Sequence, residues 1–429
     1  MKTVKQLLLA GLALCLTFGF LGCGGAGRSA NTLEIWSIQI DGDGPATFRR
    51  AIERFAADNP DIKVNLTLVA NDSYKQRLAV AMAAGKTPDL FFSWSGGPMY
   101  EYASNNQIID LTDYMNAGNY KDRFLDAAIA QASYKGRIWA VPVTNTAVCT
   151  VFYNKEIFRR LNIQVPATIG QLETASNTLL ANGITPFSLA NRTQWTGSMY
   201  FMFFATRRGG TQPFIDAVDG TGSFLDPAFI HAGDKIQEWV NKGYFLTGFN
   251  GLDWDAGQGR APFYRGEAAM LLMGSWFISQ ARDESPAEFY ANMGIFNFPR
   301  DEGGAGDPNT VLGTVGDNFY HISTASMNPD KAFELLTCLM DDAGVQDAIN
   351  DGRTPPIKNL ALSDPLMAEV FAQVQSAPDI QLWYDQSLSA DVADVHKITS
   401  QEIFGGTLSS AAAARRLQDA QEAYLSSGR

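Results

Sequence analysis

The chain contains 429 residues, of which 46% are apolar and 18% are charged. This composition is typical of a globular protein with two or three domains, and it excludes a largely disordered chain. The formal net charge of −12 disfavours nucleic acid and anionic lipid as partners, because both carry negative charge themselves.

The N-terminus has the layout of a secretory leader. A basic start precedes residues 7–21, which are almost wholly apolar but form a run too short for a typical membrane span. The tetrapeptide Phe20-Leu21-Gly22-Cys23 resembles the lipobox of bacterial lipoproteins, in which the cysteine is lipidated and becomes residue one. We therefore predict a signal peptide over 1–22, lipidation of Cys23, and a flexible tether over 23–31. Ordinary cleavage beside an incidental cysteine is the alternative.

Three β-prone segments alternate with two helical ones at the start of the mature chain. Leu33–Trp36 alternates as a strand, a helix opens at Pro45, and residues 62–68 alternate again. The capping box Ser73-x-x-Gln76 predicts a second helix, and the apolar run Leu90–Phe92 predicts a buried strand. The order β-α-β-α-β is typical of a parallel, three-layer α/β unit.

A second unit begins beyond two β-prone runs at residues 138–143 and 147–152. The capping box Thr168-x-x-Gln171 and the pair Asn328-Pro329 each predict the start of a helix. Further strands are predicted at 185–190, 268–273, 291–298 and 310–322, and C-terminal helices at 366–374, 392–404 and 409–425.

Three of the eight tryptophans, Trp94, Trp195 and Trp276, each follow an apolar strand, and Trp383 lies between two predicted helices. In open α/β sheets, ligands bind beyond the carboxyl ends of the strands, where an indole ring offers a flat apolar face. A cleft of several tryptophans suits the C–H faces of pyranose rings and suits ions or phosphates poorly. Packing in the core is the alternative for each of these residues.

Enzymatic motifs are weak in this sequence. His231, His321 and His396 are scattered without ligand spacing, so no zinc site is predicted. There is no G-x-S-x-G elbow or P-loop, and sequence alone cannot pair the carboxylates as a glycosidase would require. Asp317 lies in a glycine-rich bend, where it either belongs to a turn or accepts hydrogen bonds from sugar hydroxyls. We expect no enzymatic activity, metal or cofactor.

Several short motifs occur in order along the chain. They are the lipobox ending at Cys23, Thr32–Trp36, Pro88–Phe92, Val141-Pro142 with Phe152–Lys155, Arg265–Met270 running into Gly274–Trp276, and Pro329–Ala332. In this order and spacing they resemble the extracellular solute-binding proteins of carbohydrate ABC importers, of the maltose- and multiple-sugar-binding type. The resemblance extends over nearly all of the mature chain.

The resemblance implies an α/β, periplasmic-binding-protein-like fold of two lobes, with a central cleft and a hinge that the chain crosses more than once. The N-terminal lobe is then expected over 32–145 and 318–352, and the C-terminal lobe over 146–317 and 353–429. The crossings are expected near Thr144–Thr150, Gly313–Phe319 and Gly352–Pro356.

The resemblance also implies which residues contact the ligand. Aromatic residues that stack on sugar occupy the places of Trp94, Trp195, Trp276 and Trp383. Polar contacts come from the loop after the first strand, from the hinge, and from positions beside the tryptophans. The polar candidates are Asp41 and Asp43 in that loop, Asn145 and Asp317 at the hinge, and Ser95, Tyr384 and Asp385 beside the tryptophans.

The resulting hypothesis is a monomeric receptor that captures an oligosaccharide by cleft closure and delivers it to an ABC permease. Lipidated Cys23 would anchor it to the outer face of the cytoplasmic membrane, or it would be periplasmic. A receptor for a polyol phosphate or acidic sugar is the first alternative, for which Arg192 is the only cation that can be placed at the cleft. A secreted glycoside hydrolase or lyase and a surface adhesin are the others.

Overall fold

A computed structural model describes residues 29–38, 44–143, 145–316 and 318–427. Cys23, Asp41, Asp43 and Asp317 lie outside these ranges, so the roles predicted for them stay predictions. Within the described ranges, no helix combines the length and the apolar character needed to span a bilayer.

The strands of the described residues form two large sheets and one small hairpin. In chain order they are β1 (Thr32–Ile38), β2 (Lys63–Val69), β3 (Leu90–Ser93), β4 (Ser133–Tyr134), β5 (Arg137–Ile138), β6 (Val141–Val143), β7 (Ala147–Asn154), β8 (Thr185–Ser188), β9 (Ala268–Gly274), β10 (Met293–Phe296), β11 (Val311–Thr314), β12 (Asn318–Ile322) and β13 (Ile380–Gln381).

The helices pack on the faces of these sheets. In chain order they are α1 (Gly44–Asp58), α2 (Asn71–Ala83), α3 (Gly97–Ser104), α4 (Thr112–Asn116), α5 (Asp126–Gln131), α6 (Lys155–Arg160), α7 (Ile169–Ala181), α8 (Trp195–Gly209), α9 (Gln212–Asp219), α10 (Pro227–Asn241), α11 (Arg260–Tyr264), α12 (Phe277–Glu284), α13 (Ala287–Ala291), α14 (Pro329–Met340), α15 (Asp342–Asn350), α16 (Pro365–Ser376), α17 (Tyr384–Ser387), α18 (Ala390–Phe404) and α19 (Ser410–Ser426). Two 3₁₀ helices span Ala117–Arg123 and Phe249–Gly251.

The first sheet has the strand order β2-β1-β3-β12-β6. Strands β2, β1 and β3 are parallel, which confirms the predicted β-α-β-α-β unit. Strand β12 lies between β3 and β6 and is antiparallel to both. All four residues of β3 are buried, as expected for a short apolar strand near the centre of a sheet covered on both faces.

The second sheet has the order β13-β11-β7-β9-β8, and β10 also pairs with β7. It is mixed, because β8 and β9 are parallel whereas β7 is antiparallel to β9, β10 and β11. Every residue of β9 is buried, which matches its uninterrupted apolar sequence. Strand β11 belongs to this sheet and β12 to the first one, so the chain leaves the second sheet between Thr314 and Asn318.

The predicted helix caps meet different outcomes. Thr168 caps α7, since its side chain accepts a hydrogen bond from the backbone N–H of Gln171 at 3.2 Å. The capping box predicted at Ser73 is wrong, because α2 already begins at Asn71 and Ser73 lies inside its first turn. Asn328 stands at the N-cap position of α14, but its side-chain amide donates to the carbonyl of Ala30 instead of accepting from the helix.

Buried apolar side chains form two separate clusters. One surrounds the first sheet and includes Phe55, Phe91 and Leu335, and we call this part of the protein the N-terminal lobe. The larger cluster surrounds the second sheet and includes Phe152 and Trp239, and we call that part the C-terminal lobe. The lobe boundaries given from the sequence stay a prediction. Ile357 follows the last expected crossing in the chain, yet its side chain packs in the apolar cluster of the N-terminal lobe.

Candidate binding site

A cavity of about 1010 Å³, including its open mouth, lies between the two lobes. Its lining combines five indole rings, two methionines and ten polar or charged side chains. The lining residues are Ile38, Asn71, Lys75, Phe92, Trp94, Asn145, Trp195, Met199, Met202, Trp254, Asp255, Trp276, Ser279, Gln280, Asn318, Arg353, Trp383, Asp385 and Gln386.

Four tryptophans of the C-terminal lobe form a continuous aromatic wall of this cavity. The ring of Trp195 lies 6.1 Å from that of Trp254 and 6.0 Å from that of Trp276, measured between centroids. The ring of Trp276 in turn lies 5.9 Å from that of Trp383. The three contacts are edge-on or tilted, with interplanar angles of 73°, 62° and 54°. The wall is therefore stepped. Trp195 and Trp276 are partly exposed, whereas Trp254 and Trp383 are only 2% and 3% exposed and line the cavity from within the core of the lobe.

The turn after β9 positions Trp276. A Cβ atom at Gly274 would lie only 2.1 Å from the Trp276 ring, so the indole folds back over a strand end that has no side chain. Between them, the hydroxyl of Ser275 donates to the carbonyl of Thr146 at 2.5 Å, which fastens the turn to the start of β7. Glycine at 274 is thus required by the close approach of the ring.

Trp94 lies on the opposite side of the cavity, directly after β3. Its ring packs edge-on against Phe92, with centroids 4.7 Å apart, and against Tyr74 at 6.3 Å. The hydroxyl of Tyr74 donates to the carbonyl of Phe92 at 2.6 Å, which holds α2 to the end of the strand. The ammonium group of Lys75 lies 4.8 Å from the centroid of the Trp94 ring. Trp94 is therefore supported from the side by aromatic rings and by a cation–π contact.

Asn145 lies between the lobes, within the first passage of the chain from one sheet to the other, since β6 ends at Val143 and β7 begins at Ala147. Its side-chain Oδ1 accepts a hydrogen bond from the backbone N–H of Thr354 at 3.2 Å, and its Nδ2 is buried without a partner among the described residues. An unsatisfied buried donor in the lining of a cavity is a natural partner for a ligand oxygen, because leaving it unpaired costs free energy.

The charged side chains that the described residues bring to the cavity balance in sign. Lys75 and Arg353 are basic, and Asp255 and Asp385 are acidic. The Lys75 ammonium lies 3.7 Å from a carboxylate oxygen of Asp385, which pairs the N-terminal lobe with the C-terminal lobe. This lining offers hydrogen-bond donors and acceptors in similar measure and has no excess of positive charge.

The structure brings most of the predicted site residues together. Six of them line the cavity: Trp94, Asn145, Trp195, Trp276, Trp383 and Asp385. Their contact with a ligand remains a prediction.

Two predicted site residues lie outside the cavity lining. Tyr384 is a core residue, since its ring stacks on Phe214 with centroids 3.7 Å apart, and burial raises the pKa of its hydroxyl. Ser95 is buried beside the cavity without lining it. Arg192, the cation considered as a partner for an acidic ligand, likewise does not lie at the cavity. Its side chain is exposed, and its guanidinium pairs with the carboxylate of Asp253 at 3.2 Å.

Sequence patterns did not identify the other thirteen of the nineteen lining residues, among them Trp254, Arg353 and Lys75. Trp254 follows no strand and lies in an irregular segment, so a search for tryptophans that directly follow strands does not find it. Arg353 falls within the predicted last crossing, but the direction of its side chain was not predicted. Lys75 lies near the start of α2 and lines the cavity. The parallel strands β1 and β3 direct their carboxyl ends towards the cavity, and the start of α2 lies at that same edge of the sheet.

Comparison with known proteins assigns this chain to a family. The sequence profile of the family described as "Bacterial extracellular solute-binding protein" matches residues 41–346, more than half of the chain. An uncharacterised ABC-transporter extracellular-binding protein of Pyrococcus horikoshii is 27% identical, over 88% of this chain and 86% of the relative. The multiple sugar-binding protein of Streptococcus mutans is 23% identical, over 84% of each chain.

A solved structure reported for xylan utilization by the thermophilic bacterium Caldanaerobius polysaccharolyticus superposes with a TM-score of 0.84. It is 29% identical to this chain, and the match covers 90% of this chain and 99% of that one. The two-lobe fold and the cavity between the lobes agree with these matches. The chain therefore belongs to the bacterial extracellular solute-binding proteins.

Proposed function

We propose that this protein is the receptor of an ABC sugar importer and that it binds a neutral oligosaccharide in the cavity between its lobes. The observation that carries the proposal is the wall of Trp254, Trp195, Trp276 and Trp383 in one lobe with Trp94 in the other. Successive pyranose rings present apolar C–H faces that pack on indole rings, and a stepped wall suits rings that turn relative to one another along a chain.

The polar lining supports a neutral ligand over a phosphorylated or acidic one. Two basic and two acidic side chains line the cavity within the described residues, so the site has no surplus of cations for an anion. Sugar hydroxyls both donate and accept hydrogen bonds, and they can therefore use the Asp255 and Asp385 carboxylates together with the Asn145 amide. A polyol phosphate would instead require a concentration of positive charge.

The relatives support the same ligand class. The Streptococcus mutans relative is named a multiple sugar-binding protein, and the Caldanaerobius polysaccharolyticus structure comes from xylan utilization. We extend this to delivery of the sugar to a membrane permease, with lipidated Cys23 as the anchor to the cytoplasmic membrane. The protein would act as a binding receptor that leaves the sugar chemically unchanged.

Capture would proceed by closure of the two lobes on the sugar. Trp94 belongs to one lobe and the four-tryptophan wall to the other, so only a closed cavity lets both contact one ligand. A ligand that binds the closed state better shifts the equilibrium towards it by that difference in affinity.

A thermal-shift screen of the protein against neutral oligosaccharides, sugar phosphates and uronic acids tests the ligand class, followed by titration calorimetry of each hit. We expect neutral oligosaccharides to raise the melting temperature, because a ligand that binds only the folded state stabilises it. A response confined to phosphates or uronic acids would contradict the proposal. Chromatography of the incubated sugars is the control for catalysis, since cleavage products would indicate an enzyme.

A further inference from the structure

Beside the cavity, the backbone of two glycines in the N-terminal lobe contacts the backbone of the C-terminal lobe. Immediately after Trp94, the start of α3 meets the segment around α17 that follows Trp383. A Cβ atom at Gly96 would lie 2.6 Å from the carbonyl oxygen of Gln386, and one at Gly97 would lie 2.4 Å from the carbonyl oxygen of Leu388. No side chain fits at either glycine while the two segments are in contact.

The two glycines are required for different reasons. Gly96 has a φ of +78°, a backbone conformation that L side chains rarely adopt, so glycine would be favoured there even without a neighbour. Gly97 has ordinary backbone geometry and begins a helix, where alanine would normally be well tolerated. The three atoms nearest to a methyl group at Gly97 all belong to Ser387 and Leu388 of the opposite lobe.

Several polar side-chain atoms of these two segments are buried without partners among the described residues. The hydroxyl of Ser95 on one side, and the hydroxyls of Ser387 and Ser389 with Oε1 of Gln386 on the other, have no hydrogen-bond partner among the described residues. A permanent interface generally pairs its buried polar groups, since each unpaired one costs free energy. These groups would regain water if the lobes separated, which is what an interface that forms and breaks requires.

The contact also borders the cavity directly. Trp94 and Gln386, which flank it from the two lobes, both line the cavity, and the Lys75–Asp385 ion pair bridges the lobes at the same end. Because the two backbones leave no room for even a methyl group, a ligand stacked beside Trp94 cannot extend between them.

We infer that Ser95–Gly97 and Gln386–Ser389 form a closing contact that seals one end of the cavity, so that a bound oligosaccharide must terminate there. The receptor would then select a chain end instead of an internal stretch of a polysaccharide. The sealing of a sugar end rests on the proposed function, whereas the closing contact itself does not depend on the identity of the ligand.

The contact can be tested without ligand by zero-length carbodiimide cross-linking, which joins an amine and a carboxylate only when they touch. Because this coupling is irreversible, it accumulates the closed state even where the open state predominates without ligand. Mass spectrometry would quantify the peptide pair that links Lys75 to Asp385. We expect the wild-type protein to form this cross-linked peptide pair, and we expect Gly97→Ala to lower its yield at least fivefold. Gly251→Ala is the matched control, because a Cβ at Gly251 meets nothing within 4 Å, and it should retain the wild-type yield.

Ser387→Phe adds bulk to the same contact from the opposite lobe and should lower the cross-link yield as Gly97→Ala does. Thermal unfolding of each variant confirms that the lobes are folded, and one folded variant suffices for the test. An unchanged yield in a folded variant, or a wild-type protein that forms no Lys75–Asp385 cross-link, would overturn the closing contact.

The seal is tested with an oligosaccharide that the wild-type protein binds, tagged with a bulky fluorophore at its reducing end or at its non-reducing end. We expect one of the two tagged forms to bind at least tenfold more weakly than the untagged sugar. Equal binding of both tagged forms and the untagged sugar would overturn the seal. Failure of the proposed function looks different, since no untagged oligosaccharide would bind while the cross-linking result would still stand.

Discussion

The side chain of Asn145 accepts a hydrogen bond from the backbone N–H of Thr354 at 3.2 Å, although 209 positions separate the two residues. The bond joins the first passage of the chain between the lobes to a segment close to the last one. Both residues are buried, and Asn145 also lines the cavity. One side chain thus contributes both to the connection between the lobes and to the surface that meets the ligand.

Asn145→Ala is expected to lower the free energy of unfolding by about 1–3 kcal/mol, because it leaves the buried N–H of Thr354 without an acceptor. Asn145→Asp keeps an acceptor for that N–H but replaces the amide donor that faces the cavity, so it should retain more stability and still weaken sugar binding. Urea unfolding and calorimetry separate the two effects. Equal stability of wild type and Asn145→Ala would contradict this role.

Trp276→Ala should weaken oligosaccharide binding by roughly 2 kcal/mol or more, as loss of a buried aromatic anchor commonly does. Trp276 touches both Trp195 and Trp383, so its removal interrupts the aromatic wall at its middle. Gly274→Ala should reproduce part of this loss by displacing the ring. Trp139→Phe, outside the cavity lining, is the control. Unchanged affinity in calorimetry of Trp276→Ala would remove this residue from the site.

Asp89→Asn should destabilise the N-terminal lobe without changing sugar affinity. The Asp89 carboxylate is buried and accepts hydrogen bonds from the backbone N–H of Glu34 at 2.9 Å and from the hydroxyl of Ser326 at 2.7 Å. Weakening these charge-assisted bonds should cost about 1–3 kcal/mol in urea unfolding. Asp61→Asn, at an exposed position of the same lobe, should cost nothing measurable. A large loss of affinity in folded Asp89→Asn would contradict a purely structural role.

His396 should make the protein less stable in acid. Burial lowers the pKa of its imidazole to about 4, below the value of about 6.5 expected in the unfolded chain. Between pH 6.5 and 4 the unfolded state therefore binds the proton and the folded state does not, so stability falls as the pH falls through this window. The full loss for one such group is about 3 kcal/mol.

His396→Leu provides the test of this pH dependence. Both ring nitrogens of His396 are buried without a partner among the described residues, and its neighbours include the rings of Phe201 and Tyr384, so an apolar side chain suits the site. The variant should show a smaller difference between unfolding free energies at pH 7.5 and pH 5 than the wild type. Identical differences in urea titrations would show that this histidine does not carry the effect.

Local patterns predicted the elements better than they predicted side-chain directions. The alternation of β1 and the apolar runs of β3 and β9 identify strands, because burial on one or both faces of a sheet follows directly from sequence periodicity. The same rule identified Trp94, Trp195 and Trp276, since each follows a strand and strand ends meet at the cavity.

Residues outside such patterns were missed or misplaced. Tyr384 follows Trp383 directly, yet packing against Phe214 directs it into the core while its neighbour lines the cavity. Trp254 lies in an irregular segment, and its ring lines the cavity while packing against the rings of Trp195 and Phe277, which are distant in the sequence. In both cases long-range packing sets the direction of the side chain.

The position of β12 has a consequence for how the protein can be made. This strand pairs with both β3 and β6, yet it follows them in the chain only after the strands β7 to β11 of the other lobe. A fragment that ends before Asn318 would leave β3 and β6 with unpaired edges facing a gap one strand wide, and exposed edges of this kind promote aggregation. The N-terminal lobe therefore cannot be obtained by truncation, and during synthesis its sheet is completed only after most of its partner lobe has been translated.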